Sequence, residues 1–353
     1  MKNHYLDTGI GRMIEIDGKE YLYFSGTSYL GMAQNMDFLD VLADNLFEYG
    51  ANHGQSRNNN VRLQVFEDFE EHFALSAAAP SAAVLSSGYL AGIAAWKSLY
   101  HPSTLTWIAP DAHAAVIPDG LYTAAQLNFA QWKNWCLEQA AKLAPQKILL
   151  IGNAVDPFLC EIHDYEWVKD IATKHEVNLL VDDSHAFGVL GNSIYGTYSR
   201  WAHTSINLIV SGSLGKGLGL PAGIILGSDS EIEKIKSTPL FGGASPGSPA
   251  HLQTFLDMED IYLEKKTWLE DACGIFAQET AAVKQIKGSR YFPAFVYTDD
   301  SWVKEFEKAG IITSSFAYPT ADSPSVNRIV VSAYHELSDL MYLNDIIQDL
   351  SQT

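Results

Sequence analysis

Positive charge is scarce in this 353-residue chain: 23 Lys and Arg stand against 42 Asp and Glu, a formal net charge of −19. Nucleic acid and anionic membranes are held by clustered cations, so neither is expected as a partner. Short acidic substrates stay open, because a few local cations override a global field. Cysteine is rare too. Cys136, Cys160 and Cys273 lie far apart, with no CxxC and no histidine at zinc-ligand spacing, which argues against a disulfide framework or a metal site and for a reducing, cytoplasmic setting. The opening MKNHYLDTGIGRMIEIDG has neither the basic start nor the apolar run of a signal peptide. The longest charge-free stretch, residues 74–96, is rich in Ala, Ser and Gly and contains Pro80; it reads as buried loop, strand and helix start rather than a membrane span. Repeats and low-complexity linkers are also missing.

What is present is alternation. Val61, Val65, Phe66, Phe69 and Phe73 recur at helical spacing among acidic residues, which predicts an amphipathic helix over 61–75. Short apolar runs at 105–109, 147–152, 178–182, 207–211 and 222–227 then alternate with helical patterns around 132–143 and 165–175. This is the pattern of α/β layering around a mainly parallel sheet. Past residue 240 the texture changes. GGASPGSP at 242–249 breaks regular structure, a long helical pattern covers 251–287, and the short strands FPAFVYT and RIVVSA precede an amphipathic helix over 337–350. The expected organisation is an amino-terminal segment (1–50) packing with a small carboxyl-terminal α+β domain (241–353), and a large α/β domain (51–240) between them.

The chemistry concentrates in two segments. VSGSLGKGLGLPAG, residues 210–223, follows a strand and holds one lysine, Lys216. Gly217 follows that lysine where a nucleotide P-loop has Ser or Thr, and the glycine spacing does not fit a dinucleotide turn. Taken alone, Lys216 reads as a solvated loop charge. The second segment, LLVDDSHAFGVLG at 179–191, ends an apolar strand in Asp182 and Asp183 with His185 just beyond. In open α/β sheets ligands bind at that carboxyl edge. A lysine desolvated near a carboxylate and an imidazole is equipped for Schiff-base chemistry. Pyridoxal 5′-phosphate needs such a lysine, a carboxylate facing its ring nitrogen, and a phosphate cradle at a helix start. SSGYLAG, residues 86–92, supplies glycine and hydroxyls there, and by itself reads equally well as a tight strand-to-helix turn.

With SYLGM (28–32), HGQSR (53–57), APDAH (109–113) and RIVVSAYHE (328–336) in the same order, the chain resembles the fold-type I pyridoxal-phosphate enzymes. Within them it is similar to the α-oxoamine synthases, the group of 8-amino-7-oxononanoate synthase and 2-amino-3-ketobutyrate CoA ligase. The resemblance runs over nearly the whole chain. It implies a large domain with a mainly parallel mixed sheet flanked by helices, plus a smaller α+β domain. It makes Lys216 the Schiff-base lysine and proton carrier, Asp182 the partner of the pyridine nitrogen, and His185 the neighbour of the phenolic oxygen. His113 would stack on the ring. Gly88 and Tyr89 by their amides, and Ser213 by its hydroxyl, would hold the phosphate, and Ser245 would reach the phosphate of the neighbouring subunit in a homodimer. Arg328 would grip the amino acid carboxylate through its bidentate fork. The implied reaction condenses an amino acid with an acyl-CoA, releasing CoA and carbon dioxide. An aminotransferase on the same fold and a non-catalytic binding protein are the alternatives.

Departures from the family pattern cluster around the substrate. Thr27-Ser28 stand where Asn-Asp is usual, Gly92 replaces an asparagine, and GNAVDPFLCEI at 152–162 replaces an acidic loop, with Pro157 at a serine position. Set against the resemblance, the chain is expected to start late and to lack the amino-terminal helix that in the family helps dimerise and line the acyl-CoA entrance.

Overall fold

The computed structural model describes residues 4–124, 126–317, 323 and 325–352. A hairpin comes first, β1 (Met13–Ile16) and β2 (Lys19–Phe24). Its turn residues Asp17 and Gly18 both have positive φ, 53° and 76°, the conformation that two-residue hairpin turns require. Helices α1 (Met36–Tyr49), capped by Asn35, and α2 (Val65–Ala77) lead to β3 (Ser81–Leu85). Then follow α3 (Gly88–Leu99), β4 (Leu105–Ile108), α4 (Phe129–Lys142), β5 (Lys147–Asn153) and the small pair β6 (Val155–Asp156) and β7 (Glu161–Ile162). Next come α5 (Val168–Ala172), β8 (Glu176–Asp182), α6 (Tyr198–Trp201), β9 (Ile206–Ser213) and β10 (Gly223–Gly227). The remainder is α7 (Asp229–Lys236), α8 (Pro239–Gly243), α9 (Pro249–Asp257), α10 (Glu259–Glu279), β11 (Ile286–Gly288), β12 (Ala294–Tyr297), α11 (Trp302–Lys308), β13 (Ile311–Ala317), β14 (Ser325–Val330) and α12 (Leu337–Ser351).

Two six-stranded sheets result. The larger runs β3-β10-β9-β8-β5-β4, with β4, β5, β8 and β9 mutually parallel and β10 antiparallel to both neighbours. Parallel pairing demands crossover connections, and α4, α5 and α6 sit in those connections. Strands β5 and β8 are buried from their second residue to their last, which is why they read as continuous apolar runs rather than alternating ones. All four parallel strands therefore end at one sheet edge. The second sheet runs β1-β2-β13-β14-β12-β11, so the amino-terminal hairpin is built into the carboxyl-terminal sheet through the parallel β2–β13 pair. Among the described residues no helix is long and apolar enough to cross a membrane.

Besides the hairpin β1–β2, which the sequence did not announce, the structure departs from the sequence expectation in three places. The helical pattern over 251–287 is two helices, interrupted at Met258 (φ −121°), and its end leaves the helix to form β11. Thr280 closes α10 by returning its hydroxyl to the Phe276 carbonyl. The helix expected over 165–175 contracts to α5. Strand β13, IITSSFA, is half-buried and rich in Ser and Thr, so it carries little apolar alternation to read.

Arg57 of the HGQSR segment has a structural task. Its guanidinium forks onto Glu70 of α2 at 2.9 and 3.2 Å, and Glu70 also accepts from the Val84 amide and Lys236 at 2.7 Å each. Both partners are buried, and removing one member of such a pair strands the other charge. Glu70→Ala is expected to cost about 3–5 kcal/mol of folding stability, read as a lowered midpoint in urea unfolding. A midpoint within error of the parent refutes this.

Candidate active site

The parallel strands deliver their side chains to one pocket of about 210 Å³, lined among others by His113, Asn153, Asp182, His185, Lys216 and Arg328. Asp182 is the last residue of β8 and pairs in register with Asn153, the last of β5. Its Oδ1 accepts the Ser184 amide at 2.8 Å, bending the chain so that His185 follows at the same edge; Oδ2 has no hydrogen bond among the described residues. Lys216 lies just past β9. Its loop packs backbone to backbone on the turn after β8: a Cβ on Gly217 would fall 2.3 Å from the Phe187 carbonyl oxygen. The crowding of glycine around the lysine thus permits a close approach that puts Lys216 Nζ 2.8 Å from His185 Nε2. Tyr29 Oη lies 2.8 Å from the other ring nitrogen, Nδ1.

The neighbouring acids separate cleanly. Asp183 is fully buried, accepts from the Thr197 amide at 2.5 Å and hydroxyl at 2.7 Å, and does not line the pocket. Burial pushes its carboxyl up to about 7, against those two hydrogen bonds. Burial likewise lowers the Lys216 ammonium from its ordinary range; Asp182 opposes that shift and Arg328 adds to it. His185 is held well below the usual histidine range by burial, then by Lys216, Arg328 and His113. Its ring is neutral near pH 7.

Arg328 projects from β14 of the second sheet and is buried. Its guanidinium carbon stands 5.4 Å from the Phe316 ring centroid and 5.9 Å from that of Phe158. One terminal nitrogen donates to the Pro157 carbonyl, while Nε is buried without a partner among the described residues. The altered loop expected to matter for substrate, residues 152–162, thus supplies Pro157 and Phe158 to the pocket wall. His113 follows β4; its Nδ1 accepts the Ala115 amide at 3.2 Å, and its ring is 6.2 Å from Tyr89. Gly88 opens α3, where a Cβ would lie 2.4 Å from the Ser213 Cα; Gly88, Tyr89 and Ser213 thereby form one corner beside the pocket without lining it. Ser245 is exposed on the loop after α8 and lies outside the pocket.

Sequence reading assigned no role to Tyr29, Asp111 or Asn153. Asn153 Nδ2 donates to the Asp111 carbonyl at 2.5 Å, and Asp111 Oδ2 lies 2.8 Å from His163 Nε2. The signal for Asn153 was its position: it ends a strand parallel and adjacent to the one ending in Asp182. Tyr29 gave no such signal, because it arrives from a loop far away in sequence.

These residues fit pyridoxal phosphate on the structure's own evidence. An amine below its ordinary range sits beside a carboxylate with one oxygen uncommitted. The first amides of a twelve-residue helix, which have no helical acceptors, border a corner too tight for any Cβ at Gly88, and a helix start of this kind suits phosphate.

Comparison with known proteins agrees. The pattern of the family described as aminotransferase class I and II matches residues 19–267. An 8-amino-7-oxononanoate synthase of Dechloromonas aromatica (strain RCB) is 30% identical over 243 residues, 66% of this chain and 62% of that relative. One from Fervidobacterium nodosum is 24% identical over 361 residues, covering 96% of this chain and 91% of the other. A serine palmitoyltransferase from S. paucimobilis, solved with pyridoxal phosphate and myriocin, superposes with a TM-score of 0.83 at 16% identity, over 99% of this chain and 92% of that one.

Proposed function

Since the chain belongs to the aminotransferase class I and II family, whose members are pyridoxal-phosphate-dependent transferases, we propose that it condenses an amino acid with an acyl-CoA thioester. The products are an amino ketone, free CoA and carbon dioxide. The observation that carries this reading is the convergence of Lys216, Asp182, His185, His113 and Arg328, from both sheets, on a single pocket. Bound pyridoxal phosphate supplies an electron sink for the carbanion formed at the amino acid α-carbon. Lys216 holds the cofactor and carries the α-proton. Asp182 would keep the ring nitrogen protonated, His113 would cover the ring, and His185 would face its phenolic oxygen. The amides of Gly88 and Tyr89 and the Ser213 hydroxyl take the phosphate. Arg328 fixes the substrate carboxylate, exchanging the Pro157 carbonyl for it, and so orients the bond to be broken. Ser245, exposed outside the pocket, serves the phosphate of the partner in a cytoplasmic homodimer. The two sheets support a division into the large domain 51–240 and a small domain 241–353 joined by residues 1–50.

Condensation is favoured over amino-group transfer by what adjoins the pocket. A trough of about 590 Å³ shares Thr27 and Arg328 with it and is walled by Leu6, Ile10, Ile14, Ile312 and Phe316, an apolar surface suited to an acyl chain. The test combines single amino acids with acyl-CoA esters of graded length and follows free thiol. Thiol release that requires both substrates is the expected result. Keto acid formation without thiol release would instead assign an aminotransferase, and neither signal from any pair would leave the non-catalytic alternative.

A further inference from the structure

We propose that Tyr29 is a positioning residue that sets the tautomer of His185 and thereby keeps Lys216 supplied as a free amine. Tyr29 is carried by the amino-terminal segment. Its carbonyl accepts the Ala333 amide at 2.8 Å, its ring packs edge-on against Phe292 at 5.7 Å, and its side chain is 1% exposed. The hydroxyl has one hydrogen-bond partner among the described residues, His185 Nδ1, while His185 Nε2 faces Lys216 Nζ. Tyrosine, histidine and lysine therefore form a line in which a free amine tolerates either ring tautomer and an ammonium only the Nδ1–H one; two arrangements mark the contrast. In the first, the phenol donates to Nδ1, Nε2 carries the ring proton, and that N–H donates to the lone pair of an uncharged Lys216. In the second, a Lys216 ammonium donates to Nε2, the ring proton sits on Nδ1 and points at the phenol oxygen, and the phenolic proton is left buried with no acceptor. A buried donor left unsatisfied is penalised, having given up water for no partner. The first arrangement is favoured for that reason alone, independently of the field around the site.

That field comes from Lys216 beyond β9, Arg328 on β14 and His113 after β4, which face His185, with Asp182 at the end of β8 facing Lys216. Arg328 and Cys160 act on Tyr29, whose dominant influence is burial, and which stays a protonated phenol throughout the working range. None of these offers the phenolic proton an alternative acceptor. The inference rests on the proposed role of Lys216 only in saying why a free amine matters there.

The experiment reads the lysine itself. In the full-length chain without cofactor, trace labelling with acetic anhydride across pH, with the peptide bearing Lys216 quantified by mass spectrometry, reports the fraction of free amine. Tyr29→Phe removes the phenol and leaves Nδ1 equally unpartnered in either tautomer. The bias disappears, so labelling at pH 7 is expected to fall about three- to tenfold, the equivalent of about 0.7–1.4 kcal/mol, with its midpoint moved to higher pH. In a His185→Phe background, where no ring nitrogen links phenol to amine, Tyr29→Phe should cause no further shift, since residues acting through one another are non-additive. Imidazole ¹⁵N spectra should show the Nε2–H form of His185 in the parent and a mixture in Tyr29→Phe. An unchanged labelling midpoint in a variant with parental circular dichroism overturns the inference. Should Tyr29→Phe not fold, an Nδ1–H tautomer in the parent spectrum overturns it equally. Failure of Lys216 to link pyridoxal phosphate in the parent would refute the proposed function and leave the labelling result standing.

Discussion

Lys216→Ala folds normally and loses both the covalent link to pyridoxal phosphate and essentially all turnover. The expectation follows from where the amine sits. It is half-buried, its one hydrogen-bond partner among the described residues is His185, and no backbone depends on it. Truncation leaves His185 Nε2 short of a partner, about 1 kcal/mol, partly offset because an amine disfavoured as a charge has been removed from the pocket. Catalytic loss is of another order. General acid–base transfer alone is worth about 10²–10⁴-fold, and the nucleophile that holds the cofactor disappears with it, so kcat should fall by at least about 10⁴-fold. Borohydride treatment followed by peptide mass mapping checks the assignment: the parent carries reduced cofactor on the Lys216 peptide and the variant carries none. Cofactor fixed at another lysine in the parent would displace Lys216 from its place in the argument.

Much of this site was legible because it is built from strand ends. Asp182, His185 and Lys216 each end or follow an apolar run that β-pairing turns into a parallel strand, and the edge rule for open sheets brings them to one crevice; His113 was named by the resemblance alone. The residues alone did not divide the labour between Asp182 and Asp183; the family resemblance named Asp182. Side chains alternate faces along a strand, and only the fold decides that one carboxylate meets the pocket while the other binds Thr197. Arg328 was harder still. It reaches the pocket from a different sheet, on a strand whose neighbour β13 has hydroxyl-bearing residues where apolar ones would announce it. Tyr29 is the limiting case. Its contact with His185 spans 156 positions of sequence, and nothing local in SYLGM encodes it. The hairpin β1–β2 was missed for a related reason: its strands are half-exposed and gain their place from pairing with β13 across almost the whole chain.

The acidic pair yields the second large effect, as a dissociation between chemistry and stability. Asp182→Asn keeps the oxygen that accepts the Ser184 amide at 2.8 Å, so the turn carrying His185 survives and cofactor still binds. An amide cannot serve as the anionic partner of a protonated ring nitrogen, and charge developing in the carbanion loses its main support. Deleting one such preorganised electrostatic partner costs about 10²–10³-fold in rate, measured here as slowed exchange of the amino acid α-proton with deuterated solvent, followed by NMR. Asp183→Asn should behave oppositely. Its carboxylate takes both the amide and the hydroxyl of Thr197 in a fully buried setting, and an amide nitrogen turned toward either donor leaves it unsatisfied, a cost of about 1–3 kcal/mol seen in urea unfolding. In the fraction that is folded, α-proton exchange should stay near the parental rate, because Asp183 does not reach the pocket. If the two outcomes are exchanged, with Asp183→Asn slowing exchange and Asp182→Asn merely destabilising, the wrong acid has been given the ring nitrogen.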